Sequence, residues 1–277
     1  MRGPPVNKQT QHPPLILIHQ NPSPSVEYDF LLREMAKNRP AIAFDTPGRG
    51  MSDWPLEPQD MTGNALAFAD VLDSLKLSVR QPVDVFGYHM STFLSAELAL
   101  AHPRRIGRVV LSRNPFRTID ERKERLEENA AGPRLTESGD EILAMLHALW
   151  TFVVADRDPG VPLERAARIF IEKAKPMDRY WWPYKGVSTY EVADRFPLLK
   201  QPVLVLQSNE DLLQNSKDAS AYIDDLRIVE LPDLKRDDVD VGLVTVWFRS
   251  LVSHYATLAS KAKGLMPPRY EWRLRVL

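Results

Sequence analysis

Five residues between an apolar run and a helical pattern are the segment of this sequence best suited to chemistry. They read Gly87-Tyr88-His89-Met90-Ser91 and directly follow the apolar run from Val83 to Phe86. A strand that turns sharply into a helix pushes the middle residue of the turn out at the carboxyl end of a sheet. Small residues at both ends let such a turn pack, and the first N–H groups of the helix face negative charge that develops beside it. His89 is therefore the leading candidate for a catalytic side chain.

An imidazole in that position supports two kinds of catalysis. As a nucleophile, neutral His89 would attack a carbonyl carbon and give an acyl-imidazole, which water hydrolyses. As a general base, it would remove a proton from water or substrate, because an unperturbed histidine has a pKa of about 6.5. Base catalysis accelerates a reaction by roughly 10²- to 10⁴-fold, which favours a labile substrate. A structural histidine on an inactive turn is the competing interpretation.

Other segments resemble motifs of the α/β-hydrolase family, and they follow that family's order along the chain. Together they cover roughly residues 14–113 and 200–255. The matching segments, each with the family feature it resembles, are His19-Gln20-Asn21-Pro22 (H-G-x-P), Asp45 to Ser52 (D-x-P-G-x-G-x-S), Gly87 to Ser91 (G-x-S-x-G), Ala96 to Pro103 (the helix and exit turn behind the nucleophile) and Gln207 to Asp211 (the loop that delivers the triad acid). The resemblance implies that His89 stands in the place of the serine nucleophile.

The resemblance also implies an oxyanion hole beside His89. Its donors would be the backbone N–H groups of Asn21 and Met90, with Gln20 in place of the glycine of the oxyanion loop. Asp211 would take the place of the triad acid. A turn-forming role is an equally weighted alternative for Asp211, because aspartate favours loops.

The late catalytic histidine of the family is missing from this sequence. It is expected shortly after the last strand, where the segment from Leu231 to Asp240 contains no histidine. Counting along this segment puts Arg236 in that position, and a gap would put Asp238 or Asp240 there instead. Arg236 would pair with Asp211 or hold a substrate carboxylate, although a solvated charge is the simpler interpretation. Some members of the family also combine a histidine at this turn with no late histidine.

Alternation of short apolar runs with helical patterns predicts the scaffold that positions these residues. Continuous apolar runs are typical of strands that are buried on both faces. Strands are predicted at 15–19, 41–44, 82–86, 108–112, 202–206 and 226–231, and helices at 26–37, 61–75 and 90–102. The predicted fold class is α/β, with a doubly wound, mostly parallel sheet.

A change of rhythm after residue 113 predicts a helical insertion. Helical patterns follow at 120–128, 141–154 and 163–174, and the strand pattern returns near residue 202. The predicted domains are an α/β-hydrolase core over 1–113 and 200–277 and a helical cap over 114–199. An amphipathic segment over 242–262 belongs to the core in this interpretation.

Aromatic residues of the predicted cap suit a substrate pocket above His89, because pockets are commonly lined by aromatic side chains. The predicted pocket residues are His19, Tyr88, Trp150, Tyr180, Trp181, Trp182 and Tyr184. Packing of the cap against the core is an equally weighted alternative for the cap aromatics. For His19, bracing of the oxyanion loop by hydrogen bonds is the favoured interpretation.

Composition excludes several classes of function. The 277 residues contain 36 Lys and Arg against 37 Asp and Glu, so no charge excess indicates a nucleic acid or membrane partner. Cysteine is absent, which excludes disulfides and thiol chemistry. No phosphate loop, dinucleotide fingerprint or metal-ligand spacing is present, so we predict a small-molecule substrate and neither cofactor nor metal. With no signal segment or long apolar run, we expect a cytoplasmic protein; the sequence leaves its oligomeric state undetermined.

Three functions remain open on the sequence alone. The first is hydrolysis of a small ester, thioester or lactone, or cleavage of a C–C bond next to a carbonyl. The second is a lyase-like reaction in which His89 abstracts a proton and the N–H groups of Asn21 and Met90 stabilise an enolate. The third is a catalytically silent protein that binds a ligand in the same pocket, because this kind of fold hosts many functions.

Overall fold

A six-stranded sheet forms the centre of the computed structural model, which describes residues 12–37, 39–77, 82–128, 132–157 and 160–231. Each strand pairs in parallel with its neighbours, in the order β2-β1-β3-β4-β5-β6. The strands are β1 (Leu15–Ile18), β2 (Ala41–Phe44), β3 (Val83–Tyr88), β4 (Ile106–Ser112), β5 (Val203–Ser208) and β6 (Leu226–Leu231). The predicted α/β class with a parallel sheet is confirmed.

Helices flank the sheet and fill the segment between β4 and β5. They are α1 (Asp29–Met35), α2 (Met61–Ser74), α3 (Ser91–Ala101), α4 (Ile119–Glu128), α5 (Asp140–Trp150), α6 (Leu163–Ala174), α7 (Trp182–Ser188), α8 (Val192–Arg195) and α9 (Leu213–Ser220). A short 3₁₀ turn at Ser25–Tyr28 replaces the start of the helix predicted at 26–37. The turn is tied to the end of β1, because the Tyr28 hydroxyl donates to the Ile18 carbonyl at 2.9 Å.

Apolar side chains cover both faces of the sheet. Successive residues of a strand point to opposite faces, so Ile16 and Ile18 pack in the cluster that contains α2 and α3. Leu15 and Leu17 belong to the cluster on the other face, with residues of α1. The edge strand β2 is only half-buried, so the expectation of burial on both faces is wrong for this strand.

The residues between β4 and β5, 113–202, are called the insertion below. Part of the insertion has its own apolar cluster, formed by α6 and by the wide helical turn Thr151–Ala155 that continues α5. The first helix, α4, buries none of its side chains. Since α4 has no apolar anchor, its polar contacts have to hold it in place.

A buried carboxylate fastens the end of the insertion to α3. Glu97 of α3 accepts hydrogen bonds from the Tyr190 hydroxyl at 2.8 Å and from two nitrogens of Arg195, both at 2.7 Å. Burial raises the pKa of Tyr190. The Tyr190 ring also stacks on Phe93 with a centroid separation of 4.6 Å. These contacts fix the chain between α7 and β5 relative to the helix that follows His89.

Within the described residues, no helix is both long enough and apolar enough to cross a membrane. The predicted amphipathic segment at 242–262 lies outside the described residues, as do Arg236, Asp238 and Asp240.

Candidate active site

His89 lies at the apex of the turn between β3 and α3, in the left-handed backbone conformation with φ of +55°. Its N–H donates to the Ser112 carbonyl at 2.9 Å, and its carbonyl accepts from the N–H and hydroxyl of Thr92 at 3.0 and 2.8 Å. Strained backbone of this kind persists only where the surroundings enforce it. Gly87 is essential to the turn, because a Cβ atom there would lie 2.2 Å from the Ser91 carbonyl oxygen.

The loop after β1 is held against this turn by His19 and Ser91. The Ser91 hydroxyl donates to the His19 carbonyl. The His19 ring donates from Nδ1 to the Gln20 carbonyl at 2.9 Å and accepts at Nε2 from the Thr46 N–H at 2.8 Å. That pattern requires a neutral ring, and burial lowers the pKa of His19 to about 4. His19 therefore braces two loops, and it is not among the described residues that line the cavity beside His89.

Gln20 turns inward rather than towards His89. Its backbone N–H donates to Glu27 Oε1 at 2.9 Å, and its side-chain amide donates to Glu27 Oε2 at 3.2 Å. Burial raises the pKa of Glu27 to about 7, while the nearby Lys173 ammonium opposes that rise. Gln20 was predicted to lie in the oxyanion loop beside the backbone donors, but Glu27 takes both its backbone N–H and its side-chain amide, so neither group is aimed at the oxyanion hole.

Asn21 and Met90 keep the backbone donors that the sequence predicts. Neither backbone N–H forms a hydrogen bond with another described residue. The Asn21 side chain is held on both sides: Oδ1 accepts from Arg49 Nε at 2.8 Å, and Nδ2 donates to the Tyr180 carbonyl at 3.0 Å. The Asn21 loop is thereby joined to the insertion close to α7.

In the loop after β5, Glu210 rather than Asp211 forms a buried ion pair. Arg113, which follows β4 with φ of +57°, donates to Glu210 Oε2 from Nε at 2.8 Å and lies 2.6 Å from it through a terminal nitrogen. Burial raises the pKa of Glu210, while Arg113 opposes that rise. Asp211 is exposed and forms no hydrogen bond or ion pair with the described residues. Arg113 has no local sequence signal, because its partner lies 97 positions away.

Tyr88 packs in the apolar cluster that contains residues of α1, and it is not among the described residues that line the cavity. Its ring stacks on Phe86 at 6.5 Å, and its hydroxyl accepts from Arg113 at 2.7 Å. Tyr88 is the last residue of β3, where side chains alternate between the two faces. The predicted place of Tyr88 in the pocket is thus not what the structure has.

A cavity of about 370 Å³ opens beside His89. The described residues that line it are His89, Pro115, Arg117, Arg122, Arg125, Tyr180, Tyr184, Val187 and Ser188. Two aromatic residues of the predicted pocket, Tyr180 and Tyr184, are in this set. None of the described lining residues is acidic, and three are arginines.

The other predicted aromatics pack elsewhere. The Trp182 ring meets Trp54 edge-on at 5.8 Å, and the Trp150 ring meets Phe170 at 5.1 Å. Trp181 packs beside Trp182 at 6.5 Å. None of the three tryptophans of the predicted pocket is among the described lining residues, so packing of the insertion is the role that these contacts support.

The arginines of the cavity are the main feature that sequence reasoning missed. Arg122 and Arg125 belong to α4, whose charged sequence is typical of a solvated helix, and Arg117 lies in the segment before it. Only the folded insertion brings these side chains to His89. Within the described residues, no group of three or more His, Asp or Glu side chains is placed to hold a metal ion.

Comparisons of the chain with a family model and with solved structures all indicate the same fold. A family model described as the alpha/beta hydrolase fold matches residues 13–248. The chain is similar to MenH from S. aureus, with 16% identity and a TM-score of 0.72 over 90% of this chain and 96% of that one. It is similar to the enol-lactonase from Burkholderia xenovorans at 19% identity, with a TM-score of 0.69 over 89% and 92% of the two chains. A thermophilic esterase from Thermogutta terrifontis matches at 19% identity, with a TM-score of 0.68 over 87% and 90%.

Proposed function

This chain belongs to the α/β-hydrolase fold family, and on that premise we propose that it is an enzyme that cleaves a small carbonyl compound at His89. The substrates considered are an ester, a thioester, a lactone or a C–C bond next to a carbonyl. One observation carries the proposal: His89 stands on a strained turn at the carboxyl end of β3 and lines the cavity of about 370 Å³. Side chains held in this way are typical of functional sites.

The backbone donors next to His89 fit the charge that such a reaction develops. A carbonyl oxygen that becomes an oxyanion needs preorganised N–H groups. The N–H groups of Met90 and Asn21 supply them, since neither is used by another described residue. The brace formed by His19, Ser91 and Thr46 keeps the two loops together, so these donors need not reorganise during the reaction.

His89 would act in one of two ways at this position. As the nucleophile, its imidazole nitrogen bonds to the carbonyl carbon, the leaving group departs with a proton, and water then hydrolyses the acyl-imidazole. As the general base, His89 takes a proton from water while that water attacks the carbonyl, and the proton passes to the leaving group. Both routes use the same oxyanion donors.

The insertion serves as a cap in this proposal. Residues from the start of the insertion, from α4 and from α7 line the cavity together with His89. A cover of this kind limits the access of bulk water and the size of the substrate. The names of the structural relatives, an esterase, an enol-lactonase and MenH, are compatible with small carbonyl substrates.

Turnover of 4-nitrophenyl acetate tests the proposal. We expect the wild-type protein to release 4-nitrophenolate faster than buffer, and His89→Ala to reduce kcat/KM by about 10²-fold or more. His147→Ala is the matched control, because His147 is an exposed histidine of α5. Equal turnover by the wild type and His89→Ala would refute every catalytic role for His89.

Mass spectrometry separates the two routes and the lyase alternative. An acetyl group on the peptide that contains His89 during turnover indicates the nucleophile. Turnover with no adduct indicates the general base. If esters are untouched but the protein exchanges the α-hydrogen of a carbonyl ligand with deuterium from solvent, in a manner that requires His89, proton abstraction replaces hydrolysis. Ligand binding with neither reaction indicates a silent binding protein.

A further inference from the structure

The cavity beside His89 has an uneven distribution of charge. Arg117, Arg122 and Arg125 are all among its described lining residues, whereas no described lining residue is acidic. The whole chain is close to neutral, with 36 basic and 37 acidic residues. The positive charge is therefore a property of this cavity and does not follow from the composition of the protein.

Two of the three arginines have protein partners. Arg122 donates to both carboxylate oxygens of Glu191 at 2.8 and 2.6 Å and to the Tyr190 carbonyl at 3.1 Å. Arg125 lies 3.1 Å from Glu128 in an exposed pair. The Arg122 contacts join α4 to the chain that follows α7, which suits a helix that buries no side chain.

Arg117 differs from both. It is partly buried, lines the cavity and forms no hydrogen bond or ion pair with any described residue. Hydrogen bonds from Thr118 lower the pKa of the exposed Glu121 carboxylate, and the charge of Arg117 adds to that effect. Glu121 is thus a nearby counter-charge, but no hydrogen bond or ion pair with a described residue fixes the guanidinium group. The fold does not use Arg117 as an anchor, so its charge is available to a ligand that enters the cavity.

We propose that the substrate carries a carboxylate, which Arg117 binds while the reacting carbonyl group lies against His89. A planar guanidinium group matches a carboxylate in a bidentate contact. One arginine that is not held in an ion pair balances a monoanion, whereas a phosphate dianion would call for more positive charge than the other two arginines leave available. The cavity volume of about 370 Å³ restricts the ligand to a small molecule. This inference rests on the proposed function, because it names the substrate class of the same site.

A matched pair of esters tests the preference for a carboxylate. Mono-4-nitrophenyl adipate carries a carboxylate at the far end of its acyl chain, and 4-nitrophenyl hexanoate has an acyl chain of the same carbon number without charge. We expect the wild-type kcat/KM to be about 10- to 100-fold higher for the adipate ester, the range of a charge-assisted hydrogen-bonded contact. Arg117→Gln should bring the ratio close to one, and Arg117→Lys should give an intermediate ratio.

The control variant is Lys123→Gln. Lys123 is an exposed cation of α4, with a side chain 71% accessible and only a long contact of 3.8 Å to Asp120. The substitution removes the same charge from a position close in sequence to Arg117, and Lys123 is not among the described residues that line the cavity, so both esters should react as with the wild type. A ratio near one in the wild-type protein, or a ratio that Arg117→Gln leaves unchanged, overturns the proposal while the proposed hydrolysis stands.

Calorimetric titration separates this proposal from the reaction itself. Hexanoate and hexyl phosphate are titrated into the wild type, Arg117→Gln and His89→Ala. Hexanoate that binds the wild type and His89→Ala, but binds Arg117→Gln about tenfold more weakly, supports the carboxylate site even if no ester is turned over. Tighter binding of hexyl phosphate that depends on Arg117 overturns the choice of carboxylate, and binding of neither anion overturns the anion site.

Discussion

Gly87 determines whether the turn around His89 can form. A methyl group at this position would lie 2.2 Å from the Ser91 carbonyl oxygen and 2.5 Å from Ser95 Oγ. We expect Gly87→Ala to lower the free energy of unfolding by about 3 kcal/mol, because backbone and α3 have to shift to admit it. Urea denaturation followed by circular dichroism measures the change.

Gly160 provides the matched control for that substitution. A Cβ atom at Gly160 meets no other atom within 4 Å. Gly160→Ala is therefore expected to change stability by less than about 0.5 kcal/mol. Equal effects at Gly87 and Gly160 would contradict the packing described for the turn.

His19 makes stability depend on pH. Its folded-state pKa of about 4 lies below that of the unfolded chain, about 6.5. The stabilisation is therefore complete above pH 6.5 and is lost as the pH falls towards 4. Glu27 acts in the opposite direction: burial raises its pKa to about 7, so its contribution declines as the pH rises from about 4.5 to 7.

Comparison of the wild type with His19→Gln isolates the histidine, because Glu27 is present in both proteins. Between pH 7 and pH 5, the wild type should lose about 2 kcal/mol relative to His19→Gln. His147→Gln, at an exposed position, should follow the wild type at both pH values. A stability difference between wild type and His19→Gln that is the same at both pH values would show that His19 is not a neutral, buried brace.

The turn around His89 was predictable from the sequence, whereas several side-chain contacts near it were not. His89 was predictable because strand, turn and helix are continuous in the chain. The ion pair between Arg113 and Glu210 and the hydrogen bond from Gln20 to Glu27 were not predictable, because both depend on side-chain directions in the folded state. Arg236, Asp238 and Asp240 lie outside the described residues, and their roles stay predictions.

The helix α4 depends on polar contacts for its position over the cavity. Arg122 binds Glu191 in two hydrogen bonds, and no side chain of α4 is buried. We expect Glu191→Gln to speed hydrogen exchange of the α4 amides by about fivefold, which corresponds to about 1 kcal/mol for a partly exposed pair. Exchange in β3 and α3 should stay as in the wild type. Hydrogen exchange read by mass spectrometry provides both values.

Glu172→Gln is the control for the loss of one carboxylate from an ion pair. Glu172 pairs with Lys175, the residue after α6, at 2.7 Å and makes no contact with α4. Its removal should leave exchange in α4 unchanged. If Glu191→Gln and Glu172→Gln give the same exchange rates in α4, the pair with Arg122 does not hold this helix.

The strands and helices were largely predictable, because the apolar patterns that indicate them are local in the sequence. The strands of the sheet coincide with apolar runs, although β3 extends two residues beyond the predicted end at Phe86. Gly87 and Tyr88 continue the strand because they pair with Leu111 and Ser112 of β4. A single sequence does not reveal which strand is central and which lies at an edge, and β2 shows the consequence in its lower burial.

The cavity beside His89 exists only in the folded molecule and is not a property of any single residue or element. The order of the family-like motifs was enough to predict a parallel α/β sheet, and the fold confirms it. The lining of the cavity, by contrast, combines residues 115–125 with residues 180–188 and with His89. These segments are distant in sequence and meet only when the insertion folds over the sheet.

The central claim is that His89 is the catalytic residue of this cavity. The most direct test is kcat/KM for mono-4-nitrophenyl adipate, measured for the wild type and for His89→Gln, with thermal melting used to show that the variant is folded. We predict a loss of about 10²-fold or more in the variant. Values within twofold of each other would contradict the account.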